Sequence, residues 1–462
     1  MKNMTLSAIA RAVSGELHIG KPSDENKEAT CVVVDSRLIK EGGIFVATKG
    51  ERVDGHSFIC QVMEKGALAA ICEVAPENEE YSYILVKDSF DALKKAAKFY
   101  RQQLDIKIIG IIGSVGKTST KEIVASVLSE KYNVLKTEGN FNNEVGVPLT
   151  ICRIRDEHEV AVVEMGISDF NEMSRLGDIV RPDGVIMTNI GPCHLENLKD
   201  LDGVLRAKTE VFDYIKDGGP VILNAGDDKL ASVKKREGLN IVFYGEGTDY
   251  YADNIENLGL KGTAFDLNVN GSSIRTRVNL PGYHMVTNSL SAAAVADKLG
   301  LSITEIAEGI KKATGLTGRS NLIETDKFLI IDDCYNANPK SMRAAIDLMK
   351  DALSRKVAIL GDMFELGADE TYLHGEIGSY AIDNGINLLI CVGKLSRYMF
   401  DAAFERLDKC GHSAQVLYYE KKEDLITDIS SDKSPLEKSD TILIKASHGM
   451  GFSELVELIK NQ

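Results

Sequence analysis

Residues 108–122 read IIGIIGSVGKTSTKE, an apolar run that meets a glycine loop, a lysine and a pair of hydroxyls. A run with no polar alternation is a strand buried on both faces, so its sheet is parallel and covered by helices on both sides. Gly113 and Gly116 let backbone amides turn inward around anionic oxygens. Lys117 is placed to reach the β- and γ-phosphates of a nucleotide. Thr118 is placed to set its hydroxyl on a magnesium ion, and the next helix offers its N-terminus to the anion. Ser114, Val115 and Ser119 complete the loop. The general phosphate-loop pattern has glycine where Ile111 stands, so a strict pattern search misses this one. A glycine turn without a ligand would need strand, lysine, hydroxyls and helix to coincide by chance. The loop alone specifies a nucleotide phosphate and no more, since switches, kinases and ligases share it.

A chain of 462 residues is too long for one core, and two to four domains are expected. The first 86 residues mix short strands (31–37, 43–50, 67–74, 81–88) with helices. Residues 89–103 have helical spacing and bridge to a second domain. From Ile106 onward strand, turn and helix alternate. Strand candidates lie at 160–166, 183–190, 219–225 and 240–245, the pattern of a parallel sheet covered on both faces. Residues 263–280 read as an antiparallel hairpin turning at Asn270-Gly271. An alanine-rich helix is expected over 288–299. After a glycine-rich connection at 315–320, five more strand candidates alternate with helices: KFLIIDD, KVAILGD, NLLICVG, AQVLYYE and TILIKAS. The divisions are placed at 1–86, 87–318 and 319–462: three α/β domains, a small one, a central phosphate-loop domain and a doubly wound C-terminal one. Residues 432–439 read as a polar surface loop.

Charge and cysteine usage narrow the function classes. The balance of 54 Lys+Arg against 69 Asp+Glu gives −15, which repels polyphosphate backbones and argues against a nucleic-acid partner. None of the eight cysteines forms a C-x-x-C pair, so a zinc or redox site is not indicated. No secretion signal and no 18-residue apolar stretch is present, so a soluble cytoplasmic chain without an integral membrane segment is expected.

Further segments carry a resemblance. TEGNFNNEVGVPLT (137–150), VVEMGIS (162–168), TNIGPCHLENL (188–198), RAKTEVF (206–212) and GYHMVTNSLSAAAVA (282–296) look like the Mur ligase family. So do Gly318-Arg319, DDCYNANPKSM (332–342) and LGDMFELG (360–367). The likeness runs from VDSR at 34–37 to IKASHGM at 444–450. It implies a UDP-binding N-terminal domain, a central ATPase domain and a Rossmann-like C-terminal domain. GNFNNEVGVP and DDCYNANPKSM most resemble the branch that joins D-alanyl-D-alanine to UDP-N-acetylmuramoyl-tripeptide. That reaction uses ATP and Mg2+, passes through an acyl-phosphate, and yields a peptidoglycan precursor. A monomer is expected.

The same resemblance assigns roles. Lys117, Glu164, His194 and Lys208 are the expected catalytic set. Thr118, Glu164 and His194 would face magnesium, joined by Lys208 if it is carbamylated. From the residues alone, Glu164 could equally be a strand-end surface carboxylate, His194 a loop histidine and Lys208 a solvated helix lysine. Asn288 is expected at adenine, with His284 either beside it or structural; Arg319 is expected near the phosphates and Asp333 near the ribose. Ser36, Arg37, Lys49, Gly50, Asp54 and His56 lie in segments that resemble the family's UDP-sugar holder. Asn140, Asn142 and Asn143 would offer uncharged hydrogen bonds to the peptide and sugar of the nucleotide-linked substrate. Asn336, Asn338 and Pro339 would face the incoming dipeptide.

One position departs from the pattern. Family members often read K-[GA]-S-R where this chain has Lys445, Ala446, Ser447 and His448. A guanidinium fork becomes an imidazole, which puts any carboxylate-binding role there in doubt. Two other readings stand beside this one: another amide ligase on the same scaffold, such as a folylpolyglutamate synthase, and an ATP-binding subunit without catalysis. The second would be marked by loss of Lys117, Glu164 or Lys208, and all three are present.

Overall fold

The computed structural model describes every residue except 51–52, 316–317, 411–412 and 433, together with the side chain at 410. The segments 315–320 and 432–439 named above, and the stretch 46–58 that holds Lys49, Gly50, Asp54 and His56, fall partly outside the described residues.

The N-terminal strands are shorter than their apolar runs. They are β1 (Glu16–His18), β2 (Val32–Val33), β3 (Ile44–Val46), β4 (Ala69–Cys72) and β5 (Tyr83–Leu85). Their order is β1-β5-β4-β3-β2, with only β1 antiparallel. The bridging helix Ser89–Arg101 starts where the Asp88 side chain accepts from Asp91 N, and it buries Leu93, Ala96, Ala97 and Tyr100.

The central sheet contains β6 (Lys107–Ile112), β7 (Val134–Lys136), β8 (Val160–Glu164), β9 (Gly184–Met187), β10 (Gly219–Asn224) and β11 (Leu239–Tyr244). All pairings are parallel, in the order β11-β10-β9-β6-β8-β7. Strand β6 lies inside the sheet with both faces buried. Ile108 and Ile112 join one apolar core, Ile109 and Ile111 the other. This is the two-sided burial expected of the unbroken apolar run.

On the second face the helix Lys117–Leu128 packs against His284–Lys298 and Ile303–Lys312. The alanine-rich helix starts at His284, one turn earlier than its alanines suggest. Approach is closest at Gly309, where an added Cβ would lie 2.4 Å from Val127 Cα. Backbone cannot yield as a flexible side chain can. Gly309→Ala is therefore expected to lower stability by about 1–3 kcal/mol, read as a shifted midpoint in chemical denaturation; an unchanged midpoint would contradict this packing.

The predicted hairpin is present as β13 (Thr263–Val269) and β14 (Ser272–Val278), once β12 (Tyr250–Asn257) is counted as its third, antiparallel partner. Asn270 (φ 46°) and Gly271 (φ 81°) form its turn, the left-handed pair that suits strand twist. The last sheet has six strands: β15 (Asn321–Glu324), β16 (Leu329–Asp332), β17 (Lys356–Gly361), β18 (Leu388–Val392), β19 (Gln415–Tyr419) and β20 (Thr441–Lys445). Their order is β15-β16-β20-β17-β18-β19. The five expected strands are parallel, and β15 adds an antiparallel edge that was not anticipated. No helix among the described residues is long and apolar enough to cross a membrane.

Candidate active site

The loop after β6 is shaped by contacts that only glycine permits. A Cβ on Gly113 would sit 2.0 Å from Thr188 Oγ1, and Gly116 (φ 84°) starts the helix Lys117–Leu128 from the left-handed region. The end of β9 holds the loop in place. Thr188 Oγ1 and Asn189 Nδ2 donate to Val115 O (2.6 and 2.8 Å), and Asn189 Oδ1 accepts from Val115 N (3.0 Å). Ser114 Oγ donates to Gly191 O at 3.0 Å.

Two lysines converge on this loop. Lys117 Nζ donates to Gly113 O (2.9 Å), and Lys208 Nζ donates to the same oxygen (3.2 Å). Lys208 is 1% exposed, so the lysine that sequence alone would leave in solvent is buried. Its burial, reinforced by the Lys117 charge against an opposing pull from Cys193, lowers its pKa to about 8. Burial also lowers that of Lys117, against the attraction of Glu164. The helix carrying Lys208 spans Leu201–Thr209 and tightens into a 3₁₀ turn over Glu210–Tyr214 rather than continuing.

Glu164 ends β8 and is 1% exposed. Its Oε1 accepts from Thr118 Oγ1 (3.1 Å) and Asn142 Nδ2 (2.7 Å), and its own N–H donates to Thr137 Oγ1 (3.0 Å). Oε2 is buried with no hydrogen-bond partner among the described residues, and the fully buried Lys121 ammonium lies 3.8 Å away. A buried carboxylate oxygen left unbonded beside a threonine hydroxyl is a donor set that fits a hard divalent cation. No group of three or more His, Cys, Asp or Glu able to hold a metal occurs among the described residues. A magnesium ion here would therefore also need oxygens from a nucleotide or from a modified lysine. His194 lies beyond β9 in left-handed conformation (φ 50°), with Nδ1 2.9 Å from Glu365 Oε2. Burial lowers its pKa, with Glu365 pulling the other way.

The opposite wall comes from the C-terminal sheet. Asp333 Oδ2 pairs with the buried Lys445 Nζ at 2.6 Å, while Oδ1 accepts from Ser320 N at 2.9 Å. Asp332 Oδ2 accepts from Gly318 N (2.7 Å), so the connection between the sheets is tied down at both residues. The Arg319 guanidinium stacks on Tyr335, 4.0 Å from the ring centre, and Tyr335 leans on His448 with ring centres 5.3 Å apart. Burial lowers the pKa of His284, opposed by Asp333. Asn288 lies beside Gly116, where an added Cβ would be 3.6 Å from its Oδ1.

Between these walls is a cavity of about 630 Å3. It is lined by Ser114 to Ser119, Glu164, His194, His284 and Asn288 on one side, and by Arg319, Asp333, Asn336, Asn338 and Lys445 on the other. Asn142 and Asn143 also line the cavity, and Asn142 holds Glu164. Asn143 Oδ1 accepts from Gly146 N (2.9 Å) at the start of the helix Gly146–Cys152. Asn338 caps Pro339–Leu348 reciprocally with Ser341, and Asn336 Oδ1 accepts from Ala337 N (2.8 Å). Asn140 does not line this cavity, nor do Ser36, Arg37, Lys49, Gly50, Asp54 and His56. Arg37 forks onto Asp35 (Nη2–Oδ2 2.6 Å, Nε–Oδ1 2.9 Å), which holds Asp35 at about 2. His56 Nε2 accepts from Glu73 N (2.9 Å), so Nδ1 carries the proton donated to Asp54 Oδ1 (2.6 Å). The Asp54–His56 pair thereby braces its own loop. Thr137, Asn189, Lys121 and Tyr335 shape the site without having been singled out. Tyr335 sits inside DDCYNANPKSM and Lys121 one helical turn beyond Lys117, and these were the available signals.

A phosphate loop that carries Lys117, is backed by the buried Lys208 and is faced by a second parallel-sheet unit defines a multi-unit, nucleotide-dependent enzyme. Family models place it further. The Mur ligase middle domain matches 111–296, the Mur ligase glutamate ligase domain 318–448, and the Mur ligase family catalytic domain 28–102. The UDP-N-acetylmuramoyl-tripeptide–D-alanyl-D-alanine ligase of Bacillus subtilis (strain 168) is 36% identical, covering 99% of this chain and 98% of that protein. The protein of that name from Escherichia coli (strain K12) is 34% identical over 87% of this chain and 89% of its own length. A crystal structure of MurF from Acinetobacter baumannii superposes with TM-score 0.87 at 32% identity over 99% of both chains. MurF ligase from Thermotoga maritima, in complex with ADP, gives 0.79 at 27% identity over 93% and 97%. The chain belongs to the Mur ligase family. A Mycobacterium tuberculosis folylpolyglutamate synthase shares the fold, with TM-score 0.62 at 15% identity over 80% of this chain and 94% of that one.

Proposed function

We propose that this ligase joins D-alanyl-D-alanine to the terminal carboxylate of UDP-N-acetylmuramoyl-tripeptide, converting ATP to ADP and phosphate. The observation that carries the reading is the end-to-end likeness to relatives of that name, 36% identical over 99% of the chain, with the phosphate loop facing one shared cavity. The γ-phosphoryl group passes to the carboxylate, giving an acyl-phosphate. The dipeptide amine then attacks the acyl carbon, phosphate leaves with the bonding pair, and the amine loses a proton.

The chain's residues stabilise negative charge in that sequence. The amides of Gly113 to Ser119 cradle the phosphates. Lys117, now folded on its own loop carbonyls, swings out to the γ-phosphoryl oxygens. Magnesium, held by Thr118, Glu164 and His194 and by Lys208 as its carbamate, would supply further neutralisation of the transferring group. Asn288 meets adenine, Arg319 the phosphates and Asp333 the ribose, so the nucleotide ties the two walls together and excludes water from the acyl-phosphate. The N-terminal segments around Ser36–Arg37 and Lys49–Gly50 hold the UDP end, with Asn140 to Asn143 along the peptide; Asn336 and Asn338 flank the incoming dipeptide. The same reading divides the chain at 86/87 and 318/319, has it act as a monomer, and places it in the cytoplasm.

Phosphate release tests this. With ATP, magnesium and UDP-linked tripeptides ending in either meso-diaminopimelate or L-lysine, release is expected to depend on D-alanyl-D-alanine. Free D-glutamate or D-alanine should give background rates. Preference for a single amino acid would move the chain to another branch, and turnover with tetrahydrofolate plus glutamate would move it out of cell-wall synthesis.

A further inference from the structure

Among the described residues, no carboxylate pairs with Arg319, and its guanidinium lies instead over the Tyr335 ring, 4.0 Å from the ring centre. Both side chains line the cavity that the phosphate loop opens into. The backbone that carries Arg319 has little freedom. Its neighbours Gly318 (φ 78°) and Ser320 (φ 48°) are both left-handed, a conformation serine rarely takes. Gly318 N donates to Asp332 Oδ2 (2.7 Å), Gly318 O accepts from Tyr335 N (3.0 Å), and Ser320 N donates to Asp333 Oδ1 (2.9 Å). The segment that carries the ring is fixed as well. Lys445 Nζ donates to Asp333 Oδ2 (2.6 Å) and to Asn336 O (2.8 Å), on both flanks of Tyr335. A cation without an anion is thus held over an aromatic face, and both are tied down through their own backbones.

A free arginine side chain samples many rotamers, and a ligand that orders it loses part of its binding energy. Stacking on a ring holds the guanidinium in one plane and leaves its N–H edge available to phosphate oxygens. We propose that Tyr335 is a positioning residue: its ring face holds Arg319 ready for the nucleotide phosphates, so that the cation is preorganised before ATP arrives. The proposal rests on Arg319 meeting the phosphates as read above. It gives the tyrosine of DDCYNANPKSM a part in nucleotide binding, whereas the asparagines of that segment are read as facing the dipeptide. A ring beneath a cation is worth about 2- to 30-fold in affinity.

The test measures affinity for a non-hydrolysable ATP analogue with magnesium, by calorimetry on the full-length enzyme. Binding of the analogue needs no acceptor, so the result stands whichever acceptor the enzyme uses. Tyr335→Leu should weaken binding about 2- to 30-fold and raise the KM for ATP in step, with the KM for D-alanyl-D-alanine unchanged. Tyr335→Phe, which keeps the ring, should recover most of the affinity. In an Arg319→Ala background Tyr335→Leu should cost nothing further, because the ring then has no cation to hold. Tyr335→Met gives the same reading should Tyr335→Leu fail to fold. The proposal is overturned if Tyr335→Leu binds as the wild type does, if Tyr335→Phe loses as much as Tyr335→Leu, or if the loss is equal in both backgrounds. Wild-type affinity in Arg319→Ala would remove Arg319 from the phosphates and take the proposal with it. Weakened binding in Arg319→Ala beside wild-type binding in Tyr335→Leu would overturn the role of Tyr335 alone.

Discussion

Lys117→Ala is expected to fold as the wild type does and to lose about 10³ in turnover. Its ammonium makes its hydrogen bonds to Gly113 O and Ser114 O, carbonyls of its own loop, so no distant element depends on it. In the reaction it carries a full charge to the transferring phosphoryl group, and one such preorganised donor is worth about 10²–10³ in rate. A structural consequence accompanies the kinetic one. The Lys117 charge helps to depress the pKa of Lys208, so its removal should move that pKa upward from about 8. Phosphate release and thermal unfolding, measured together, check both. Turnover within tenfold of wild type would remove Lys117 from the mechanism, and a collapsed melting temperature would make its role structural.

Lys208→Ala should be nearly inactive, with a loss of at least about 10². A lysine reacts with carbon dioxide only as the neutral amine, forming an N–C bond and releasing one proton. At pH 7.5 a pKa near 8 leaves about a quarter of the side chain neutral, against about a thousandth for an ordinary lysine. Burial and the adjacent Lys117 thus favour carbamylation, and they do so more as pH rises through 8. Carbon-13 bicarbonate should give an NMR carbamate signal that grows over that range and is missing in Lys208→Ala. Formate or acetate should partly restore the mutant. The stability term has the same sign. Between about 8 and the ordinary lysine value near 10.5 the unfolded chain binds more protons, so this group's contribution to folding improves as pH rises. A fully active alanine variant would dismiss Lys208. An inactive one that carboxylates never rescue, with no carbamate signal in the wild type, would leave it a role as a cation only.

Legibility differed by element in a physically orderly way. Strand β6 and its loop could be read because every determinant lies within fifteen consecutive residues: an apolar run, glycines at the turn, then lysine and hydroxyl at a helix start. The Asn270-Gly271 turn was readable for the same reason. Strand β15 was not, since Asn321–Glu324 is short and half-buried and becomes a strand only by pairing with β16. The asparagines show the other limit. Asn142, Asn143, Asn336 and Asn338 all lie in segments that resemble the family's, yet composition could not tell a ligand donor from a helix cap. Asn338 is a helix cap in this fold, Asn143 binds the amide of Gly146 ahead of a helix, and Asn142 holds Glu164.

The sequence by itself determined the sheet type, the phosphate loop, the order of the α/β units and, through its quoted segments, the family. Those properties follow from local periodicity and from short runs that carry their own geometry. Only the tertiary structure decided which charges are buried and with whom. Lys208 looks solvated on its helix, yet it meets Gly113 O across 95 residues of chain. Glu164 keeps one oxygen unbonded because Thr118 and Asn142 converge on the other. His194 meets Glu365, and Asp333 meets Lys445, only because distant strands end at the same cavity. Ionisation and hydrogen-bond pairing depend on what lies within a few ångströms in space, and chain separation does not encode that distance.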